Sequence, residues 1–355
     1  MKTAVVILNW NTKEFLEKFL PGVLESAGTD AEVIVADSGS TDGSMEMMKE
    51  KFPEVRRIEL GENLGFTGGY NKALSELDGF EYFVLLNSDI EVTKRWLGPL
   101  VEWMDSHPEC GACAPKLLSW QRRDHFEYAG AAGGMIDRLG YPFCRGRVLK
   151  MVELDYGQYN EPKEVFWASG ACLMIRSKLF REAGGLDSRF FAHMEEIDLC
   201  WRLQLAGHSV CVVPQSEVFH LGGGTLPANS PQKIRLNFRN NLLMLENNLA
   251  KTYGLQSGDG YKACRAARIM IAKRMVLDGL SALIYAISGK LSWFKAVFQA
   301  HKEYRALRRK TTPEDVGKYL QEWYGKAEIR GIYDGSILWK ALIKGNKVFE
   351  NLHRL

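Results

Sequence analysis

An amide, a hydroxyl and a carboxylate stand together in Asn87-Ser88-Asp89, directly after the apolar run Tyr82-Phe83-Val84-Leu85-Leu86. Such a run suits a strand buried on both faces of a sheet. Polar groups at the carboxyl end of such a strand lie where open α/β sheets bind ligands. A carboxylate beside a second oxygen donor suits a hard cation, Mg²⁺ or Mn²⁺, and such a cation commonly carries a diphosphate. Three other groups fit the same chemistry. Glu195, Glu196 and Asp198 open a helical segment, where the dipole favours ionised carboxylates and one that faces a pocket is a candidate general base. His220 leaves a strand for Gly222-Gly223-Gly224, a setting that suits a ligating imidazole. Asp37 leads an acidic loop, residues 37–44, that is better placed to accept hydrogen bonds from a base or ribose than to cradle phosphate. Taken singly, each has a plainer reading. Asp89 would cap a helix near Thr93, the 37–44 loop would be turn chemistry, the three acids would cap their helix, and His220 would be structural.

The elements that must position these groups alternate in type. Apolar strands over 3–8, 32–36, 55–60 and 82–86 are separated by helices predicted over 12–24, 44–51 and 69–77, with Thr12 as the first cap. That alternation predicts an α/β fold with a doubly wound, mostly parallel sheet. A glycine-rich turn, Asn63 to Asn71, feeds the third helix. Further on come a helix near 94–105, a strand over 110–118, and an irregular glycine-rich stretch over 124–151 read as a flap or an acceptor-side hairpin. A strand over 166–175 follows, kinked at Gly170, where a ligand or another backbone can approach closely. A short helix over 178–183, a helix over 195–206 and strands over 210–213 and from 218 complete this region. From Pro231 the pattern is helical, over 232–253, 265–287, 293–310, 313–324 and 337–352. The expected division is residues 1–230 and 231–355.

Composition narrows the classes. Apolar residues make up 46% and charged residues 25%, ordinary for a soluble globular chain. The net charge of +3 is unevenly spread: residues 261–355 hold 19 Lys/Arg against 8 Asp/Glu, leaving 27 against 35 for residues 1–260. A basic, aromatic final third predicts peripheral contact with membrane phospholipid ahead of nucleic acid, or else a solvated helical face. In the helix over 265–287, Arg268, Lys273 and Arg274 interleave with Ile269, Met270, Ile271, Met275, Val276 and Leu277, which suits a helix on a bilayer or on the rest of the protein. Seven scattered cysteines form no framework, and Cys110-x-x-Cys113 lacks partners for zinc, so buried thiols in a reducing compartment are expected. The apolar run at 4–8 is short for a signal peptide, and no run approaches a spanning helix. The expected location is the cytoplasm, or the inner face of the cytoplasmic membrane. A G-x-G-x-x-G fingerprint after the first strand and a Walker A sequence are both missing.

VVILNWN at 5–11, VIVADSGSTDGS at 33–44, ENLGFTGGYN at 62–71, LLNSDIEV at 85–92, WASGACLMIR at 167–176, FFAHMEEIDLCWR at 190–202 and VFHLGGGT at 218–225 follow one another across the first 245 residues or so. In that order and spacing they resemble the family-2 inverting glycosyltransferases of GT-A fold, most of all the bacterial rhamnosyltransferase-like members that build cell-surface polysaccharide. The resemblance implies that Asp37 contacts the base or ribose, with Asn9 and Asn63 lining the same pocket and Asn87, Ser88 and Gly170 beside the nucleotide-sugar. Asp89 would be the last acid of the metal-binding D-x-D motif, Asn87 replacing the first, and His220 the later metal-contacting histidine. The base, an Asp in most members, corresponds to Glu196, with Glu195 as the alternative. Asp198 and Arg202 would order the site. The implied reaction is a single displacement from a nucleotide-sugar, dTDP-rhamnose or a UDP-sugar, onto a cell-surface glycan or lipid-linked saccharide. Two competing readings differ in class. A sugar nucleotidylyltransferase would need a basic glycine-rich loop where Asn9-Trp10-Asn11 stands. A membrane-attached glycan- or nucleotide-binding protein with a relict site is suggested by Asn87 and Glu196. Oligomeric state is not addressed by these features.

Overall fold

The computed structural model describes residues 1–222 and 230–343, together with Phe349 and Leu352. In chain order the elements are β1 (Thr3–Asn9), α1 (Lys13–Ser26), β2 (Ala31–Asp37), α2 (Ser44–Lys51), β3 (Arg56–Glu59), α3 (Gly65–Ser75), β4 (Tyr82–Asn87), β5 (Ile90–Val92), α4 (Leu97–Ser106) and β6 (Cys110–Ser119). Then follow β7 (Gly134–Asp137), β8 (Pro142–Cys144), β9 (Arg147–Val148), β10 (Met151–Val152), β11 (Lys163–Glu164), β12 (Cys172–Arg176), α5 (Ser177–Glu182), α6 (Glu195–Leu205) and β13 (Ser209–His220). The C-terminal part has α7 (Pro231–Ser257), α8 (Gly260–Ile287), α9 (Leu291–Leu307), α10 (Pro313–Trp323), β14 (Ile332–Tyr333) and a π-helical turn at Trp339–Ile343. The remainder of the helix expected over 337–352, and Gly223, Gly224 and Thr225 of the glycine loop, lie outside the described residues.

Nine strands form the main sheet, in the order β11-β13-β6-β12-β4-β1-β2-β3 with β5 paired to β13. The first four strands of the chain are parallel, as the alternation predicts. β12 runs antiparallel to both β4 and β6, which makes the sheet mixed.

Side-chain period explains the layers. Ala4 and Val6 of β1 join Ile34, Ala36, Phe83 and Leu85 in a core closed by Tyr70, Ala73 and Leu74 of α3. Val5 and Ile7 face the other way, into a core with Val33, Val35, Val84 and Leu86 closed by α1, α2 and α4. Helices on both faces bury both parities, so these strands read as continuous apolar runs rather than alternating ones. The chain winds outward from β1 to β3 with α1 and α2 on one face, then returns through α3 on the other face to place β4 beside β1. The order therefore reverses between β1 and β4, and a crevice opens outside their carboxyl ends.

One local expectation changes and two open ones are narrowed. Thr12 does not cap α1; its hydroxyl donates to Asn9 Oδ1 at 2.5 Å, and Asp42 Oδ2 takes the Lys13 N–H at 2.8 Å. Of the two readings of 124–151, flap or hairpin, the structure takes the hairpin: β7, β8, β9 and β10 pair antiparallel in a small sheet that β14 completes by pairing with β7. Arg274 does not face outward. It is buried against Asp278, with its guanidinium 3.6 Å from the centre of the Tyr141 ring. All seven cysteines are free and buried. No helix among the described residues is long and apolar enough to cross a membrane.

Candidate active site

The crevice between β1 and β4 gathers most of the expected residues. At the end of β1, Asn9 is fully buried and its amide donates to Asp37 Oδ1 (2.7 Å) and Ser40 Oγ (3.0 Å) while accepting from Thr12. Both of its N–H groups are engaged and it has no exposed surface, so Asn9 orients Asp37 from behind the pocket wall. Asp37 Oδ2 takes the backbone N–H groups of Gly39 and Ser40 at 3.1 and 2.9 Å. That is turn chemistry, but Oδ1 accepts only from Asn9 and keeps a lone pair for a ligand donor. Asn63 is exposed at the rim, and its Oδ1 accepts the Gly65 N–H at 2.9 Å. Gly65 itself has φ +70°, and a Cβ there would meet the Phe191 ring at 2.5 Å. The glycine thus lets the start of α3 close on the loop before α6.

The Asn87-Ser88-Asp89 corner joins β4 to β5. Because β5 pairs with the end of β13, Ile90 sits opposite His220 and the Leu221 N–H donates to the Asp89 carbonyl at 3.1 Å. Residues 131 positions apart in sequence are thereby brought together, with His220 Nε2 3.2 Å from Asp89 Oδ1. The other ring nitrogen, Nδ1, lies 3.3 Å from Glu127 Oε1. Burial opposes charge on His220, yet the Glu127 and Asp89 carboxylates outweigh it and push its pKa up to about 10. Burial would likewise raise Asp89, and the His220 partner overcomes it to hold the carboxyl below its usual range. Glu127 was not anticipated from the sequence, since it falls in the irregular stretch and its partner arrives only through the β5–β13 pairing.

The donor set fits a divalent cation that displaces the His220 proton on binding. A carboxylate and an imidazole 3.2 Å apart have the spacing of neighbouring ligands around a metal with bonds of about 2.1 Å. Asn87 stands half-buried beside them. Among the described residues no group of three His, Cys, Asp or Glu converges on one point. Such a two-ligand arrangement suits a cation whose remaining positions are filled by water and substrate phosphate.

Glu195 and Glu196 begin α6 on the neighbouring wall. The Asn87 N–H donates to the Ala171 carbonyl at 2.9 Å, and the preceding Gly170 approaches Glu196 so closely that a Cβ there would lie 3.4 Å from Glu196 Cβ and from Phe66 Cζ. Asn87 of the corner and Glu196 are thus linked through Ala171 and Gly170, with Gly170 packed against the Glu196 side chain. One oxygen of each acid, Oε2, is shielded from solvent without a hydrogen-bond partner among the described residues, as is His193 Nε2. Burial raises Glu196 to about 7; burial and the adjacent Glu196 hold Glu195 well above the carboxylate range. Asp198 has a different role. Its Oδ2 takes Arg202 Nε at 2.7 Å, and its Oδ1 takes Asn247 and Asn248, both at 2.9 Å. It fastens α6 to α7.

The loop that presents the acids is strained. Phe191, His193 and Met194 all have φ between +64° and +73°, conformations that cost on the order of 1–3 kcal/mol each for residues with a side chain. What sustains them is α7. Asn240, fully buried, donates to the carbonyls of Phe190 (2.9 Å), Ala192 and His193 (both 2.8 Å). Arg239 Nη2 donates to the carbonyls of Arg189 and Phe190 at 3.1 and 2.7 Å. The sequence carried a signal for this clamp, because Arg239-Asn240 and Asn247-Asn248 recur eight residues apart on one helix and so share a face. Asn240→Ala is expected to cost about 1–3 kcal/mol of stability by stranding these carbonyls. It should also lower kcat at least about tenfold with little change in donor KM, as displacement of a reacting group does; thermal unfolding and initial rates check this.

A model of the family described as glycosyl transferase family 2 matches residues 4–184. The chain belongs to this family. It is 30% identical over 236 residues to an N-acetylglucosaminyl-diphospho-decaprenol L-rhamnosyltransferase of Mycobacterium tuberculosis, spanning 61% of this chain and 75% of that one. It is 25% identical over 203 residues to the low-salt glycan biosynthesis hexosyltransferase Agl10 of Haloferax volcanii, 56% of this chain and 60% of that one. Among solved structures, GalNAc-T7 with UDP, GalNAc and Mn²⁺ superposes with a TM-score of 0.53 at 19% identity, covering 69% of this chain and 48% of that one. S. aureus TarS gives 0.53 at 15%, covering 87% and 50%. The protein is thus a GT-A glycosyltransferase, and as the sequence resemblance implied, it is an enzyme of the hexosyltransferase type.

Proposed function

We propose that this glycosyltransferase moves a sugar, with inversion, from a nucleoside-diphosphate donor such as dTDP-rhamnose or a UDP-sugar to a hydroxyl of a glycan or lipid-linked saccharide. The observation that supports the reading is the Asp89–His220 pair, 3.2 Å apart at the β4–β5 corner, together with Gly170 packed on Glu196 next to the Ala171 that holds Asn87. The similarity to the mycobacterial rhamnosyltransferase supports the donor and acceptor classes.

Asp89 and His220 would hold the cation, Mg²⁺ or Mn²⁺, which when bound offsets the charge that develops on the departing diphosphate. Asp37, oriented by Asn9, accepts a hydrogen bond from the base or ribose. Glu196 takes the proton of the acceptor hydroxyl as its oxygen bonds to the anomeric carbon and the bond from that carbon to the diphosphate breaks. A single displacement inverts the configuration. Glu195, held more strongly protonated, is less suited to be the base at neutral pH. Residues 1–230 and the helices from 231 onward act as one catalytic unit in this proposal, since α7 supplies the clamp on the base-bearing loop. A lipid-linked acceptor would bring the enzyme from the cytoplasm to the inner face of the cytoplasmic membrane.

The base must be ionised to act, so kcat/KM is expected to rise with pH through an apparent pKa near 7, about tenfold per unit on the acid side, and then level. Initial rates of nucleoside diphosphate release between pH 5 and 9, at saturating Mn²⁺, test this. A profile flat across neutrality would move the proton acceptor elsewhere. Slow donor hydrolysis without acceptor distinguishes transfer from nucleotidyl transfer, which would release pyrophosphate.

A further inference from the structure

The two stripes of α8 are inverted relative to an ordinary surface helix. The buried stripe is mostly small and polar, with Ile271 as its large aliphatic member: Ala263, Cys264, Ala267, Ala282 and the Arg274–Asp278 ion pair line it, and His301 Nε2 of α9 approaches Asp278 to 3.3 Å. The large aliphatic residues stand on the outside. Val276, Leu280, Leu283, Ile284 and Ile287 are each more than half exposed, at the three- and four-residue spacing of one face. The apolar face continues past the Ser288-Gly289-Lys290 turn into Leu291 and Phe298 of α9, both also more than half exposed. A contiguous apolar patch of this kind marks an interaction surface.

Charge indicates the occupant. Between Met275 and Lys302 the exposed charged side chains are Lys290, Lys295 and Lys302, all cationic, and the one acid, Asp278, is buried and paired. Lys290 lies 4.4 Å from the centre of the Trp293 ring, which makes an edge contact with Tyr285, an aromatic and cationic rim like those of interfacial helices. A second copy of the chain would set lysine against lysine. An anionic bilayer meets both the apolar face and its cationic border, and the helices are too polar to span it.

We propose that the outer face of the α8–α9 hairpin, from Val276 to Phe298, is a docking surface for anionic phospholipid that seats the enzyme on the bilayer without crossing it. This deepens the acceptor assignment and rests on it only for the membrane-borne acceptor. Glu303 lies roughly 18 Å along α9 from the hairpin tip at 1.5 Å per residue. There it binds Arg235 at 2.6 Å and Arg239 at 3.3 Å, and Arg239 holds the loop that presents Glu196. The bilayer contact and the base are thus joined by one rigid path.

The test is co-sedimentation of the full chain with vesicles of equimolar phosphatidylcholine and phosphatidylglycerol, and with phosphatidylcholine alone. Wild type is expected to bind the mixed vesicles and to lose at least about tenfold in affinity on phosphatidylcholine alone. Leu283→Glu/Ile287→Glu is expected to lose at least about tenfold on the mixed vesicles, while its donor hydrolysis and its transfer to a short-chain soluble acceptor stay at the wild-type rate. Equal binding by the variant, no binding by wild type, or a dimer in gel filtration that the variant abolishes would overturn the docking surface and leave the transferase reading standing. Vesicle binding by a wild-type protein that transfers sugar to no acceptor would instead defeat the transferase reading and leave the surface intact.

Discussion

Replacing Glu196 by Gln is expected to abolish transfer, lowering kcat by about 10²–10⁴, the range that a positioned acid–base group contributes. The substitution keeps the shape beside Gly170 and removes only the ability to take a proton. Thermal stability separates this outcome from misfolding. The folded protein raises Glu196 to about 7, so the stabilising contribution of its neutral form is present below the unfolded carboxylate range and is lost as pH rises through 7. Gln is neutral throughout, so at pH 8 the variant should melt no lower than wild type. A dead enzyme that melts as high as its parent is the expected signature of a group placed for function at some cost to stability. Glu195→Gln should retain substantial activity. If instead Glu195→Gln is inactive and Glu196→Gln turns over fully, the roles of the two acids are reversed.

Asp89→Asn is the second large effect expected. The variant keeps an oxygen near His220 but loses the charge that a divalent cation needs, and transfer should fall roughly 100- to 1,000-fold, about 3–4 kcal/mol in the barrier. Rates measured against Mn²⁺ concentration should lose their saturable dependence. His220→Ala should act in the same direction, because it removes the other half of a pair that β5 and β13 hold 3.2 Å apart. If Asp89→Asn retained wild-type rates at limiting Mn²⁺, the corner would not be the cation site.

The parallel half of the sheet was legible because its strands are buried on both faces. An uninterrupted apolar run ending in polar residues is then the only pattern available to them. The same feature exposed Asp37 and Asp89, since in such a sheet the first polar residue after a strand stands at its ligand-binding edge. What sequence could not show was which partner each polar group takes. Asn9 was read as a pocket residue, yet Thr12, expected to cap α1, turns back to it instead and fixes it on Asp37. Glu127 was invisible because irregular glycine-rich chain gives no period from which to place it. For the C-terminal helices the periodicity leaves two settings open, on a bilayer or on the rest of the protein, and does not decide which residues of α8 turn inward. Interleaved Arg268, Lys273 and Arg274 suggested a mixed basic face, but Arg274 is drawn inward by Asp278 and the Tyr141 ring, and that rotation turns Val276, Leu280 and Leu283 outward. One buried ion pair thus decides which side of α8 meets solvent, which the periodicity of apolar residues alone leaves open.

Catalysis as proposed requires a cation at the Asp89–His220 pair and Glu196 within reach of the sugar it activates. Anomalous scattering from crystals grown with Mn²⁺ and a nucleoside diphosphate tests this most directly. The expected map has a manganese peak within bonding distance of Asp89 and His220, with the diphosphate bound to it and the Gly170–Glu196 wall facing the open side. A nucleotide bound with no manganese at that pair, or with the metal on other residues, would contradict it.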